Sequence, residues 1–185
     1  MNFSFHRVSI RISFWFVAVI SIMLILFPET QAFYCFMFCI IHEVGHLLAM
    51  LITGRKITSL HFGYFGIKIC TDKSFIPAMK DAFIAIGGPM INLIAASVLF
   101  PAGQNNLALM NLVLAFFNLL PVSVLDGGHL LSALFPESKV IKMLSIATCI
   151  LLFLCGIVTA VYSKKNFTLL IVSLYLITGI AGQKD

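Results

Sequence analysis

The sequence predicts an all-α polytopic membrane protein of about six transmembrane helices, with a short membrane-associated β-hairpin between the second and third. Three observations lead there. Hydrophobic residues fill 61% of 185 positions and charged residues only 10%, a balance that suits lipid rather than water as the solvent. The apolar residues fall in long runs separated by short polar breaks, as consecutive spans require. Basic residues collect around alternate breaks, the bias that orients helices in a bilayer. One domain over residues 1–185 is the simplest organisation, without internal repeat or low-complexity tract.

The first run, Ile12 to Phe27, follows Arg7 and Arg11 and stops at Pro28-Glu29. Thr30-Gln31-Ala32 would suit signal-peptide cleavage, yet further spans follow and an uncleaved helix is expected. The second run, Phe33 to Thr53, carries His42, Glu43 and His46 in its middle and ends at Gly54-Arg55-Lys56. Residues 57–71 change period: Ile57, Ser59, His61 and Gly63 alternate with Thr58, Leu60, Phe62 and Tyr64, which predicts a hairpin or re-entrant strand. In the third run, Phe75 to Phe100, Pro89 lacks a backbone donor and is expected to loosen the helix at Gly87-Gly88-Pro89. Pro101 to Asn106 makes a polar turn. The fourth run, Leu107 to Leu120, meets Pro121 and leads into Leu125-Asp126-Gly127-Gly128. Runs at Val140 to Tyr162 and Phe167 to Ile180 complete the six.

With both termini cytoplasmic, Arg7, Arg11, Arg55, Lys56, Lys68, Lys73, Lys80, Lys139, Lys142 and Lys184 lie at or near the cytoplasmic side. Only Lys164 and Lys165 fall outside. The net charge of +5 is therefore a matter of topology; no basic stripe interleaved with aromatics points to nucleic acid. The five cysteines, mostly within apolar runs and without C-x-x-C spacing, predict neither a disulfide framework nor a structural zinc site.

His42-Glu43-Val44-Gly45-His46 is an H-E-x-x-H pattern, which chance would place in on the order of 1 in 200 chains of this length. On a helix, positions i and i+4 share a face, so both imidazoles reach one zinc ion. A catalytic site needs a third protein ligand and an open position for water. Asp126 is the best candidate: it is one of few acids near an apolar run, and the glycines after it allow a turn close to a neighbouring helix. In the six-span topology it enters from the side toward which His42 and His46 lie about 10 to 17 Å deep, at about 1.5 Å per residue. Glu43, beside the metal, would take the proton from water. Ionisable groups in mid-span cost several kcal/mol unless paired or metal-bound, which argues against three in five residues as passive filler.

These residues resemble the site-2 protease family of intramembrane metalloproteases, peptidase M50, especially the branch of the stage IV sporulation protease that processes a sigma-factor precursor. The likeness rests on Ile41 to His46, on Asn118-Leu119-Leu120-Pro121-Val122-Ser123-Val124-Leu125-Asp126-Gly127-Gly128, and on Gly88-Pro89-Met90-Ile91-Asn92, which looks like a G-x-x-x-N motif. The segment ending Phe62-Gly63-Tyr64-Phe65-Gly66 is similar to the family's membrane-associated hairpin. The resemblance implies one Zn2+ on His42, His46 and Asp126, with Glu43 as catalytic acid-base. It places Asn92 beside substrate or oxyanion, and the hairpin against an unwound substrate by strand addition. It implies a multi-pass protein of the bacterial cell membrane that cleaves a membrane-protein substrate near the cytoplasmic face. A sigma-factor precursor, an anti-sigma factor or a leftover signal peptide are substrates of the right kind. Neither the cytosolic nucleotide-sensing domain nor the inserted peptide-binding domain of some relatives is present in the sequence, so a separate membrane partner is the expected regulator.

Plainer roles compete at several positions. Asn92 could hydrogen-bond a neighbouring helix, and Asn118 is expected behind the site, satisfying backbone freed by Pro121. His129 and His61 read as solvated histidines. Cys39 shares a helix face with His42 and His46 but reads as a packing residue. Two other functions stay open at this point: an intramembrane zinc carrier or transporter, and a catalytically silent scaffold.

Overall fold

The computed structural model describes residues 2–5, 8–14, 18, 21, 30–63, 66–72, 77–136, 138–163 and 167–182. Most of the first apolar run lies outside the described residues, and with it the expected first span. Among the described residues six helices follow: α1 Thr30–Thr53, α2 Ala78–Leu99, α3 Asn105–Asn118, α4 Asp126–Leu134, α5 Lys139–Ser163 and α6 Thr168–Ala181. Three of them, α1 from Phe33, α2 and α5, are long and apolar enough to cross a membrane, and α6 is a shorter apolar helix. The chain is thus the helical membrane protein with a small β element that the composition predicts.

The β element is larger than one hairpin. Strands β1 Asn2–Phe5, β2 Val8–Ile12, β3 Ile57–Gly63 and β4 Gly66–Thr71 form a sheet in sequence order. The predicted hairpin is the antiparallel β3–β4 pair, while β2 joins β3 in parallel, Arg11 standing opposite His61. A register irregularity between Ile57 and Ser59 lets Ile57 join Ile69 against Ala49, Met50 and Ile84 of α1 and α2. The sheet is thereby fastened to the helix pair that carries the site. Arg55 donates to the Asp72 carbonyl and Lys80 to that of Thr53, tying the strand ends to the helix ends.

Helix α2 is the hub, packing against α1, α3 and α4. Its buried positions, Ala82, Ile84, Ala85, Gly88, Pro89, Asn92 and Ala96, recur at helical spacing and are mostly small, so neighbouring backbones come close. The closest approach is at Gly45 of α1 and Gly87 of α2, where a Cβ on Gly87 would lie 2.7 Å from the Gly45 carbonyl oxygen. Pro89 does not interrupt the helix as expected: α2 runs unbroken from Ala78 to Leu99. A missing N–H removes one hydrogen bond, and the ring is fully buried against its neighbours, so packing carries the helix through.

The Leu125-Asp126-Gly127-Gly128 segment is helical where a turn is expected, because α4 starts at Asp126. Gly127 and Gly128 press against the carbonyls of Leu119 and Val122, space that no larger residue could share. The preceding loop is held from behind by Val122, Cys149 and Leu176, which form a buried cluster with α5 and α6. The Ser123 amide also donates to Ser145 Oγ of α5 at 2.9 Å. These contacts fix where Asp126 begins its helix.

Candidate metal centre

His42 and His46 project from one face of α1 toward α2, and both are buried, 5% and 9% exposed. Each imidazole is clamped by its Nδ1. That of His42 meets Asn92 Oδ1 at 2.6 Å, and that of His46 meets the Ile84 carbonyl oxygen at 2.8 Å. A carbonyl can only accept, so the His46 Nδ1 carries the proton and donates it; the amide orientation fixed below requires the same of His42.

Both Nε2 atoms turn to the same place, and Asp126 meets them there. Its Oδ2 lies 2.9 Å from His42 Nε2 and 3.2 Å from His46 Nε2. One ligand atom from each of the three residues falls within 4.8 Å of the others. The donor set tests the fit. With Nδ1 protonated, each neutral imidazole presents a lone pair at Nε2, and a carboxylate presents another. Three lone pairs facing one point repel unless a cation or added protons sit between them. Ligands at 2.0–2.1 Å from a tetrahedral zinc are about 3.3 Å apart, close to the spacings here. The residues therefore fit a single metal ion with two nitrogen ligands and one oxygen.

Gly88 forms the wall behind the two imidazoles: a Cβ there would lie 2.6 Å from His42 Nε2 and would also collide with His46 Nε2. Glu43, between the two histidines in sequence, is half-buried. Asn92 is fully buried; besides His42, its side chain reaches Asn111 Oδ1 at 2.8 Å and the Phe38 carbonyl at 3.4 Å. Asn118 lies elsewhere, donating to the Leu114 carbonyl of its own helix at 3.0 Å. His129 and Cys39 are exposed and outside the metal-ligating group among the described residues, and His61 pairs with Ser59 on β3. The sequence does not single out Ile84 or Asn111 as parts of the site. Only the G-x-x-x-N pattern hinted that this stretch of α2 lies against it.

The sequence profile of peptidase family M50 matches residues 104–162, the stretch that holds Asp126. A zinc metalloprotease of Methanocaldococcus jannaschii is 27% identical over 163 residues, 78% of this chain and 46% of that protein. Both the profile and this relative place the similarity of the chain with peptidase family M50. A candidate zinc metalloprotease of Synechocystis is 30% identical over 105 residues, 50% of this chain and 28% of the relative. The chain spans less than half the length of either of these relatives. The solved site-2 protease from Methanocaldococcus jannaschii shares the fold, with a TM-score of 0.72, 23% identity, and coverage of 100% of this chain and 95% of that one. The helix packing brings together the H-E-x-x-H helix and the distant aspartate.

Proposed function

We propose that this chain is an intramembrane zinc metalloprotease hydrolysing a peptide bond within or next to a transmembrane segment of a membrane protein. The observation that carries it is the convergence of two imidazole Nε2 atoms and one carboxylate on a single point. His42, His46 and Asp126 hold one Zn2+. When bound, that ion supplies a Lewis acid, polarising the scissile carbonyl and acidifying water.

The chain's own residues do the rest. The Glu43 carboxylate takes a proton from the attacking water and returns it to the departing amide nitrogen. Asn92 and the Ile84 carbonyl keep both imidazoles turned inward, so that neither ligand reorients during turnover. We assign Asn92 to this positioning task rather than to substrate or oxyanion, because its amide is fully buried and already engaged. Asn118 supports the backbone of α3 behind the site. A helical substrate must unwind to expose its carbonyls. Strand β3 is paired on both sides, so an added substrate strand would take the outer edge of β4.

Arg55, Lys56 and Lys80 gather where α1 ends and α2 begins, which supports a cytoplasmic location for that end and for both termini. Residues 1–185 act as one catalytic core, on which a membrane partner would confer regulation. A carrier function is less suited to the site, since a passing ion needs ligands that let go, whereas both imidazoles here are locked by their second nitrogens.

The test compares membrane proteomes of cells making the wild-type protein with those making Glu43→Gln. A membrane protein that is cut in the first and accumulates whole in the second, while purified Glu43→Gln still holds zinc, is the expected result. Identical cleavage patterns would remove the protease reading, and zinc uptake by proteoliposomes would replace it with transport.

A further inference from the structure

We infer that Asn111 of α3, which touches neither the metal ligands nor the proposed substrate path, is a positioning residue that fixes which ring nitrogen His42 offers to the metal. This rests on the metal-site reading above and adds to it a residue outside the M50 motifs.

Asn111 is fully buried, and so is Asn92, which faces it from α2. A buried primary amide has a donor end and an acceptor end of nearly equal shape, so its orientation is decided by its partners. Here two partners admit no ambiguity. The Leu107 carbonyl is an acceptor only and lies 2.9 Å from the Asn111 amide, which must therefore present its Nδ2 there. Asn111 Oδ1 is left facing Asn92 at 2.8 Å and has to receive a proton, so Asn92 turns its Nδ2 that way. The Phe38 carbonyl, 3.4 Å from the same Nδ2, demands the same orientation more weakly. Asn92 Oδ1 is consequently aimed at His42, 2.6 Å away, and can only accept. His42 must donate from Nδ1, and its lone pair falls on Nε2, the nitrogen beside Asp126.

The chain of donors thus runs from His42 through Asn92 and Asn111 to the backbone of α3, and each link has one possible direction. Asp126 cannot set this direction, because a carboxylate accepts a proton from Nε2 as readily as it shares a metal with it. Without Asn111, only the long contact to Phe38 opposes a flip of the Asn92 amide. A flipped amide would offer N–H to His42 Nδ1 and drive the proton to Nε2, which then cannot bind a cation. His46 has no such dependence, since a backbone carbonyl orients it.

The test measures zinc affinity by chelator competition, and the Co2+ absorption spectrum, on purified full-length protein in detergent. Asn111→Ala should weaken metal binding about 10-fold, the lower end of what loss of an outer partner costs. Asn111→Ser keeps a hydroxyl able to bond Leu107 but too short for Asn92, so it should bind as weakly while leaving α3 satisfied. In an Asn92→Asp background both oxygens accept, no flip exists, and Asn111→Ser should change affinity less than about 2-fold. Wild-type affinity in Asn111→Ser, or an equal loss in both backgrounds, overturns the inference and leaves the protease reading standing. If the wild-type protein itself takes up neither Zn2+ nor Co2+, the metal-site reading fails and this inference with it.

Discussion

Gly88 stands so close to His42 that a Cβ on it would lie 2.6 Å from the imidazole Nε2, and His46 Nε2 would be struck as well. The glycine is needed for space and not for backbone freedom, since it lies inside a regular helix. Gly88→Ala should therefore displace the nitrogens that face the metal while leaving α2 helical, alanine being the better helix former. Zinc affinity, measured by chelator competition, should fall on the order of 10- to 100-fold, in the range found when the support of a ligand is lost. Unchanged affinity would mean that the imidazoles do not sit against this wall.

Asp126 is held in place by glycines wedged under the Leu119 and Val122 carbonyls and by Ser145 of α5, which accepts from the Ser123 amide on the preceding loop. Asp126→Ala should therefore remove a ligand without releasing α4, and zinc should no longer co-purify with the protein. In the wild type, chelator should abolish cleavage and zinc restore it. Because the ion binds the folded state, adding zinc at 100 times its Kd should also stabilise the apo protein by about 2.7 kcal/mol. A thermal-shift measurement would show the rise in Tm for the wild type and none for Asp126→Ala.

The contact that sets the site's depth is between Gly45 and Gly87, where α1 and α2 cross nearly backbone to backbone. A methyl group at either position must push the helices apart, and overpacking of this kind costs typically about 1–3 kcal/mol. Gly87→Ala should lower Tm and reduce activity together, since His46 and its partner Ile84 sit on opposite sides of that seam. Gly54→Ala offers a contrast: that glycine has a positive φ of 77° and a Cβ on it would meet nothing within 4 Å, so strain alone would be felt there. Its effect should be confined to stability, with metal affinity as in the wild type.

The parts of this site legible in the sequence are those whose geometry is local. Two ligands and a base within one helical turn need no tertiary information, and the residues after Asp126 betray close packing because nothing but glycine fits. What was hidden depends on partners far away in the chain. Strand β2 resembles the start of an apolar run until it finds β3, opposite which Arg11 stands 50 residues before His61. Pro89 reads as a break because its lost hydrogen bond is visible in the sequence and its burial is not. Asn111 reads as one polar residue in an apolar helix, and only its partner on α2 gives it a direction. The start of the short helix α4 reads as a turn, since the carbonyls that accommodate Gly127 and Gly128 come from a loop whose path is set by α5 and α6.

Asn92 and Asn118 make a paired test, being the same residue type in apolar helices with different partners. Asn118 donates to the Leu114 carbonyl four residues back and is only half-buried, so its removal costs one ordinary hydrogen bond. Asn118→Ala should lower stability by about 0.5–1.5 kcal/mol and leave zinc affinity within about 2-fold of wild type. Asn92→Ala strips His42 of its acceptor and leaves Asn111 Oδ1 facing a cavity, so metal affinity should drop about 10- to 100-fold. Measured side by side, the ratio of affinity loss to Tm loss should be far larger for Asn92. Equal ratios would place both asparagines in the scaffold, with no part in presenting His42 to the metal.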